Sequence, residues 1–264
     1  MNMDFQENTF QYNSVSINYF EKGSGKPILF LQGGGVRVFT YKNVLDSLSE
    51  KYLVIAPELP CFGGSTVPKE VWGLKEYASF FDEFIKSLNL KEFTTIGHSL
   101  GGGIALILAS KNEKIKNLIL IDSAGKSNGY SETKFRYKFY IEKTFYDLFH
   151  YKNFSTCLLI IKDFFKNRIK KSFQWSHIVK IMKKCLLTDF DESHKIKART
   201  LILWGDQDEI FSPESAKIIN KEIPGSTLKF VRGNHDWCLF KRNELLELID
   251  QWFEKKEFAV KEID

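Results

Sequence analysis

Cysteine, proline and long apolar runs are all scarce in this chain of 264 residues. Its four cysteines are widely spaced, with no Cys-x-x-Cys pair and no histidine at metal-ligand spacing. This pattern excludes a disulfide framework and a cysteine-based zinc site, and it indicates reduced thiols in a cytosolic protein. No uncharged apolar run approaches membrane-spanning length, and residues 1–6 lack the basic and apolar segments of a secretory signal. We therefore expect a cytoplasmic protein without a transmembrane segment.

Positive charge and aromatic residues are concentrated in one part of the chain. The net charge is +5, yet residues 126–198 alone hold 16 Lys and Arg against seven Asp and Glu, together with 15 of the 39 aromatic residues. A basic, aromatic surface suits anionic lipid, an acidic substrate or nucleic acid. No recognised nucleic-acid-binding module accompanies it, so we predict no nucleic-acid partner. Peripheral contact between this segment and a membrane is a hypothesis, and an AT-rich genome that favours Lys, Phe, Tyr, Ile and Asn is the alternative explanation.

Short apolar runs alternate with helical patterns along most of the chain. Polar and apolar residues alternate over 9–20 around Asn13 and Ser14, which predicts an antiparallel hairpin. Continuous apolar runs predict buried strands at 28–31, 52–56, 93–96, 117–122, 200–204 and 227–231. Helical spacing falls at 41–48, 72–88, after Ser212-Pro213 and at 243–253. The order predicts an α/β fold with a mostly parallel central sheet flanked by helices.

Residues 125–198 interrupt this alternation. They show helical periodicity and contain no good strand over some 70 residues. A helical insertion between two strands of a parallel sheet would lie over the carboxyl edge, where ligands bind in open α/β folds. We therefore predict a core formed by 1–124 and 199–264, with 125–198 as an inserted helical cap.

The most informative local motif is Gly97-His98-Ser99-Leu100-Gly101. An apolar strand precedes it, and a helix of small and apolar residues follows at once. A nucleophile elbow requires this context, because bulky residues two positions either side of the serine would collide with the strand or the helix. The pentapeptide alone is a weak signal, and an ordinary glycine-rich turn is the alternative interpretation.

A serine hydroxyl needs a neighbouring base, and that base needs an orienting acid. Of the five histidines, His235 follows a predicted strand in a flexible loop at the carboxyl edge, which makes it the natural base. His98 precedes the nucleophile, so its side chain should point away from the serine. For the acid, Asp206 and Asp208 follow the strand at 200–204, and Asp122 ends an earlier strand. The residues by themselves do not decide which of these three aspartates is the orienting acid.

With the motif and these candidates, the chain resembles the α/β-hydrolase superfamily, in its serine-triad branch with a helical cap. The order Ser…Asp…His is that of the family. The family pattern Gly-x-x-Asp-x-Ile/Val-x-x-Pro falls on residues 205–213. The resemblance therefore implies that Ser99, Asp208 and His235 form the catalytic triad, with Asp122 as the second choice of acid.

The resemblance also implies an oxyanion hole and two departures from the family pattern. The apolar-His-Gly-x segment of the family appears as Leu-Gln-Gly-Gly at 31–34, so the N–H groups of Gly34 and Leu100 would hold the oxyanion. Gln32 replaces the usual histidine, which braces the loop, and we expect a mild change of geometry. Cys61 stands where glycine is common, and we expect it to narrow the pocket floor.

The implied activity is hydrolysis of a small-molecule carboxylic ester or thioester with an apolar acyl part, without a metal or organic cofactor. Haloalkane dehalogenases and epoxide hydrolases are excluded because they use Asp at position 99. Carbon–carbon bond hydrolysis of a dienoic diketone is an alternative, since Gly33-Gly34-Gly35 and residues 58–63 resemble that subgroup. The glycine run there is followed by Pro-Gly, however, and here by Val36-Arg37. A non-catalytic ligand binder on the same fold is the third interpretation.

Overall fold

One eight-stranded sheet runs through the protein. The computed structural model describes residues 4–127, 147, 151 and 153–254. The strands are β1 (Gln6–Tyr12), β2 (Val15–Lys22), β3 (Pro27–Leu31), β4 (Leu53–Pro57), β5 (Phe93–His98), β6 (Ile115–Ile121), β7 (Arg199–Gly205) and β8 (Thr227–Val231). Their order is β1-β2-β4-β3-β5-β6-β7-β8. The pairs β1–β2 and β2–β4 are antiparallel, and all others are parallel. The predicted mostly parallel sheet is confirmed.

Helices cover both faces of the sheet. They are α1 (Lys42–Ser49), α2 (Leu74–Ser87), α3 (Leu100–Lys111), α4 (Phe154–Lys170), α5 (Trp175–Leu186), α6 (Pro213–Glu222), α7 (Trp237–Phe240) and α8 (Arg242–Phe253). On one face, Phe81 of α2 packs in an apolar cluster with Leu118 of β6. On the other face, Leu45 of α1 and Ile249 of α8 cluster with Ile119. Because successive strand residues point to opposite faces, one buried strand supplies both layers of the core.

The described elements follow the predicted order closely. The opening hairpin turns at Asn13, whose φ of +53° is a left-handed conformation that asparagine tolerates. The predicted helix at 72–88 begins at Leu74, because Gly73 precedes it in an extended conformation and donates its N–H to the Glu76 side chain. The short helix α7, which begins two residues after His235, was not predicted. Its four residues are too few for a periodic signal.

All the regular elements that the structure describes between β6 and β7 are helical. They include α4, α5 and two short 3-10 turns at Ser172–Gln174 and Ser193–Lys195. Ile178, Ile181 and Cys185 of α5 are buried in the apolar cluster that includes α2 and α3. Residues 128–146, 148–150 and 152 of the predicted cap lie outside the described residues, so the cap boundaries at 125–198 stay a prediction. Within the described ranges, none of the helices has the length and apolar character needed to cross a bilayer.

Candidate active site

Ser99 lies in a strained turn between β5 and α3. Its φ and ψ are +53° and −118°, a conformation that costs a non-glycine residue roughly 1–3 kcal/mol. A β-carbon at Gly97 would lie 2.5 Å from the carbonyl oxygen of Gly101. One at Gly101 would lie 2.2 Å from the carbonyl oxygen of Leu31. The two glycines therefore allow strand, turn and helix to approach closely enough to hold the strained serine.

The side chains of Ser99, His235 and Asp208 form a continuous hydrogen-bonded chain. Ser99 Oγ lies 2.9 Å from His235 Nε2, and His235 Nδ1 lies 2.8 Å from Asp208 Oδ2. The second carboxylate oxygen, Asp208 Oδ1, accepts the backbone N–H groups of Ile210 at 2.7 Å and Phe211 at 2.9 Å. The side chains of Ser99, His235 and Asp208 are all buried. The carboxylate is thus held in place from one side while it orients the imidazole on the other.

Opposing influences set the pKa of His235. Burial is the largest single influence and lowers it, because a charged imidazole loses its hydration. The charge of Asp208, its hydrogen bond and the charges of Asp236 and Glu209 together outweigh burial. The pKa of His235 therefore lies above its ordinary value of 6.5. An imidazole with this pKa can take a proton from a hydroxyl and stabilise the resulting charge.

The three aspartates that are candidates for the orienting acid have different hydrogen-bond partners in the structure. Asp208 is hydrogen-bonded to the imidazole, as described above. Asp206 Oδ1 instead accepts the N–H of Gly233 at 2.8 Å, which braces the histidine loop. Asp122 Oδ1 accepts the N–H of Gly205 at 2.7 Å. Burial and then the neighbouring charge of Asp208 raise the pKa of Asp122 well above its usual range, which favours an uncharged carboxyl group there.

The loop that holds Gly34 lies against the start of α3. A β-carbon at Gly34 would lie 3.3 Å from Leu100 Cδ2 and 3.4 Å from Met182 Cε of α5. The N–H of Leu100 belongs to the first turn of α3, where N–H groups have no acceptor inside the helix. Gln32 donates to the carbonyl oxygen of Val36 at 2.6 Å, so it braces the loop from within. This geometry brings the two predicted oxyanion residues side by side.

His98 turns away from Ser99, as its position in the motif suggested. Its Nδ1 lies 2.6 Å from the hydroxyl of Tyr41, and its Nε2 lies 3.0 Å from the carbonyl oxygen of His235. Because a carbonyl can only accept, Nε2 carries the proton and Nδ1 accepts from Tyr41. Tyr41 in turn accepts the N–H of Gly33 at 3.0 Å. The pKa of His98 is lowered to about 4, first by burial and then by the charge of His235, so this neutral form holds near pH 7.

The loop around His235 is held by contacts that sequence reasoning missed. Glu209 accepts the backbone N–H of His235 at 3.2 Å. The hydroxyl of Tyr151 donates to Asn234 Oδ1 at 2.9 Å and accepts the backbone N–H of Asn234 at 3.1 Å. Asn234 also donates to Asp147. Tyr41, Tyr151 and Asp147 carry no motif, and only their hydrogen bonds in the folded chain identify them.

Cys61 adopts a φ of +82°, which explains why glycine is common at this position. Its side chain is buried, and its Sγ lies 3.5 Å from the Tyr77 hydroxyl. Burial raises the pKa of the thiol to about 11, so the sulfur is protonated at neutral pH. The carbonyl oxygen of Cys61 accepts from Asn167 of α4 at 3.4 Å. Cys61 thus lies where α4 contacts the loop after β4, and a narrowed pocket floor stays a prediction.

Two groups of side chains in the described part bring metal-ligand atoms within 4.8 Å of one another. They are His98, His235 and Asp236, and Asp122, Asp208 and His235. Both contain His235, whose two ring nitrogens already contact Ser99 and Asp208. An ion in either place would have to displace a hydrogen bond of the chain described above.

Comparison with known proteins relates this chain to the α/β hydrolases. A family model described as the α/β hydrolase fold matches residues 26–152. Lipase 1 of Psychrobacter immobilis is 30% identical over 229 residues, which are 78% of this chain and 70% of that protein. An uncharacterised protein of Mycobacterium tuberculosis is 33% identical over 103 residues, or 39% of this chain, and the match spans only 30% of its own length.

Among solved structures, a meta-cleavage product hydrolase from Pseudomonas fluorescens IP01 superposes with a TM-score of 0.77. The superposition covers 94% of this chain and 97% of that one, at 20% sequence identity. Similarity at this identity establishes the shared fold and leaves the chemistry open.

Proposed function

Because this chain belongs to the α/β-hydrolase superfamily, we propose that it is a serine hydrolase that cleaves a carboxylic ester or thioester. The observation that carries the proposal is the chain of hydrogen bonds from Ser99 through His235 to Asp208, at 2.9 and 2.8 Å. Nucleophile, base and orienting acid are then in contact before substrate arrives. A binding protein would not require this arrangement.

In the acylation step, Ser99 Oγ attacks the carbonyl carbon of the substrate, and His235 Nε2 takes the hydroxyl proton. The carbonyl oxygen becomes an oxyanion beside the N–H groups of Gly34 and Leu100. Each such donor contributes about 3 kcal/mol to the transition state. As the intermediate collapses, the bond to the alcohol or thiol breaks, and His235 gives its proton to that leaving group.

In the deacylation step, water loses a proton to His235 and attacks the acyl carbon. Collapse of the second intermediate breaks the bond to Ser99, returns the proton to its oxygen and releases the carboxylic acid. The proposed preference for an apolar acyl part is supported by Met182 beside Gly34 and by Phe164 of α4 beside Gly35. These side chains offer an apolar surface next to the proposed oxyanion hole.

Steady-state kinetics on p-nitrophenyl esters from acetate to octanoate, with a dienoic diketone in the same panel, tests the substrate class. We expect turnover of esters by the wild type and none by Ser99→Ala. Rapid turnover of the diketone with no ester hydrolysis would instead favour carbon–carbon bond cleavage. If folded protein turns over nothing, and ligands stabilise Ser99→Ala as much as the wild type, the protein is a binder.

A matched pair of variants tests the acid. Asp208→Asn is expected to lower kcat by about 10⁴-fold, because the amide no longer holds the imidazole in the productive tautomer. Asp122→Asn should lower kcat less than about tenfold, since an amide has nearly the shape of an uncharged carboxyl group. Equal losses in the two variants, or a larger loss in Asp122→Asn, would contradict the assignment of Asp208.

A further inference from the structure

The cap helix α4 turns a polar face toward the protein. Asp163 accepts from the hydroxyl of Thr40 at 2.8 Å, and Asn167 donates to the carbonyl oxygen of Cys61 at 3.4 Å. Lys171, one residue beyond the helix, donates to the carbonyl oxygen of Ser65. All three side chains are buried and follow one another at four-residue spacing. Specific hydrogen bonds to the core therefore fix the rotation of α4.

The opposite face of α4 is apolar and open to solvent. Four apolar side chains of α4 and one of the 3-10 turn that follows it are exposed to solvent. The exposed fractions are 65% for Phe154, 52% for Leu158, 46% for Phe165 and 72% for Ile169 in the helix, and 102% for Phe173 in the turn. At about 100° per residue, the four members inside the helix lie within an arc of roughly 60°. Amphipathic helices of water-soluble domains place their apolar face inward, so α4 has the reverse orientation. We call these five residues the apolar stripe.

Basic residues flank the apolar stripe. Lys162, Lys166, Arg168 and Lys170 are all exposed on α4. The single acidic residue of the helix, Asp163, is buried on the other face. The outward surface of α4 therefore combines protruding aromatic and aliphatic side chains with positive charge alone. This combination is typical of helices that lie in the interface of an anionic bilayer.

We propose that the outer face of α4 is a docking surface for an anionic lipid membrane, with the apolar stripe inserted among the acyl chains and the flanking lysines at the headgroup phosphates. Large exposed apolar patches on a protein mark interaction sites. Charge complementarity selects anionic lipid over a neutral surface. A second copy of this chain would present the same positive charge and be repelled.

The docking surface lies next to the candidate active site. Phe164, on α4 itself, lies 4.0 Å from the position of a β-carbon at Gly35. A membrane on the outer face of α4 would thus be separated from the loop that holds Gly34 and Gly35 by the thickness of one helix. The inference extends beyond the proposed hydrolase function and does not depend on it, because binding can be measured on a protein without the nucleophile.

Vesicle flotation of the full chain carrying Ser99→Ala tests the proposal. The probes are vesicles of phosphatidylcholine alone and of phosphatidylcholine mixed with phosphatidylglycerol. We expect flotation with the anionic vesicles only. The added pair Phe165→Ser and Ile169→Ser should weaken partitioning roughly tenfold or more, because two apolar side chains no longer leave water. Leu187→Ser is the matched control, since Leu187 is 39% exposed but lies outside α4.

A second pair of variants tests the charge. Lys162→Gln and Lys166→Gln should each weaken binding about fivefold, and added salt should have the same effect. Lys91→Gln and Lys114→Gln are exposed controls that precede β5 and β6, at the opposite edge of the sheet, and should bind as before.

Three results would overturn the proposal. One is a chain carrying Ser99→Ala alone that stays unbound with both kinds of vesicle. Another is unchanged binding of the Phe165→Ser, Ile169→Ser variant. The third is a dimer of the wild type in light scattering that becomes monomeric in that variant, which would assign the apolar stripe to a contact between copies. Thermal unfolding of each variant verifies that the fold is retained.

Discussion

The hydroxyl of Tyr41 joins two parts of the candidate site that are far apart in sequence. It accepts the N–H of Gly33, beside the proposed oxyanion residue, and donates to the ring of His98. His98 in turn donates to the carbonyl oxygen of His235. Any shift of Tyr41 would therefore move the loop that holds Gly33 and Gly34 relative to the proposed base. We interpret Tyr41 and His98 as positioning residues, since the hydrogen bonds of their side chains go to Gly33, to each other and to the His235 backbone, and not to Ser99.

Replacing Tyr41 by Phe tests this role. The change leaves a buried N–H and a ring nitrogen without their partner, so the loop loses its register with His235. We expect kcat to fall roughly 10- to 100-fold with little change in KM, because misplacement affects the transition state more than binding. Steady-state kinetics measures both constants.

Tyr77→Phe is the matched control for that experiment. The Tyr77 hydroxyl is also buried and donates to the carbonyl oxygen of Pro60 at 2.9 Å. Both variants should lose stability, but only Tyr41→Phe should lose kcat. Equal losses of kcat would mean that Tyr41 acts through stability alone.

The backbone motifs made part of this site predictable. Gly97 and Gly101 surround Ser99, and the collision that a side chain at Gly97 would make with the backbone of Gly101 acts within five residues, so a local pattern reveals it. The hydrogen bond between Tyr41 and His98 joins residues 57 positions apart, and no local pattern encodes it. The choice of Asp208 over Asp206 required the family resemblance, because both aspartates follow the same strand.

Helix α4 shows the same limit at the scale of an element. Its period predicted a helix, but a period does not state which face is buried. An apolar face would ordinarily be assigned to the core, whereas here Asp163, Asn167 and Lys171 are inside. Their partners are a threonine hydroxyl and backbone carbonyl groups of distant loops. These acceptors and donors become apparent only once the chain has folded.

Asp163→Ala tests whether polar contacts hold α4 in place. The variant leaves the Thr40 hydroxyl without its buried acceptor, which costs about 1–3 kcal/mol. We expect faster hydrogen exchange in α4 than in the wild type, with exchange in β5 and β6 unchanged. Lys162→Ala is the control, because Lys162 precedes Asp163 and is exposed, and it should leave hydrogen exchange as in the wild type. Unchanged exchange in Asp163→Ala would show that other contacts dock the helix.

At the scale of the whole molecule, the parallel sheet determines where the site lies. Ser99 follows β5, Asp208 follows β7 and His235 follows β8, so three loops bring their side chains to one edge. Parallel strands place these loops together regardless of the distance between them in sequence. The order of strands and helices was therefore enough to predict the fold class. How α4 packs against the rest of the protein depends on side-chain contacts that periodicity does not reveal.

The central claim is that Ser99 is activated by His235, and covalent labelling with a fluorophosphonate tests it most directly. Intact-mass spectrometry should detect one phosphonyl adduct on the wild type and none on Ser99→Ala. The labelling rate should fall as the pH is lowered, because protonated His235 cannot act as a base. Since the pKa of His235 is raised, the midpoint should lie above 6.5. The account would be contradicted if folded wild-type protein formed no adduct, or if Ser99→Ala formed the adduct to the same extent as the wild type.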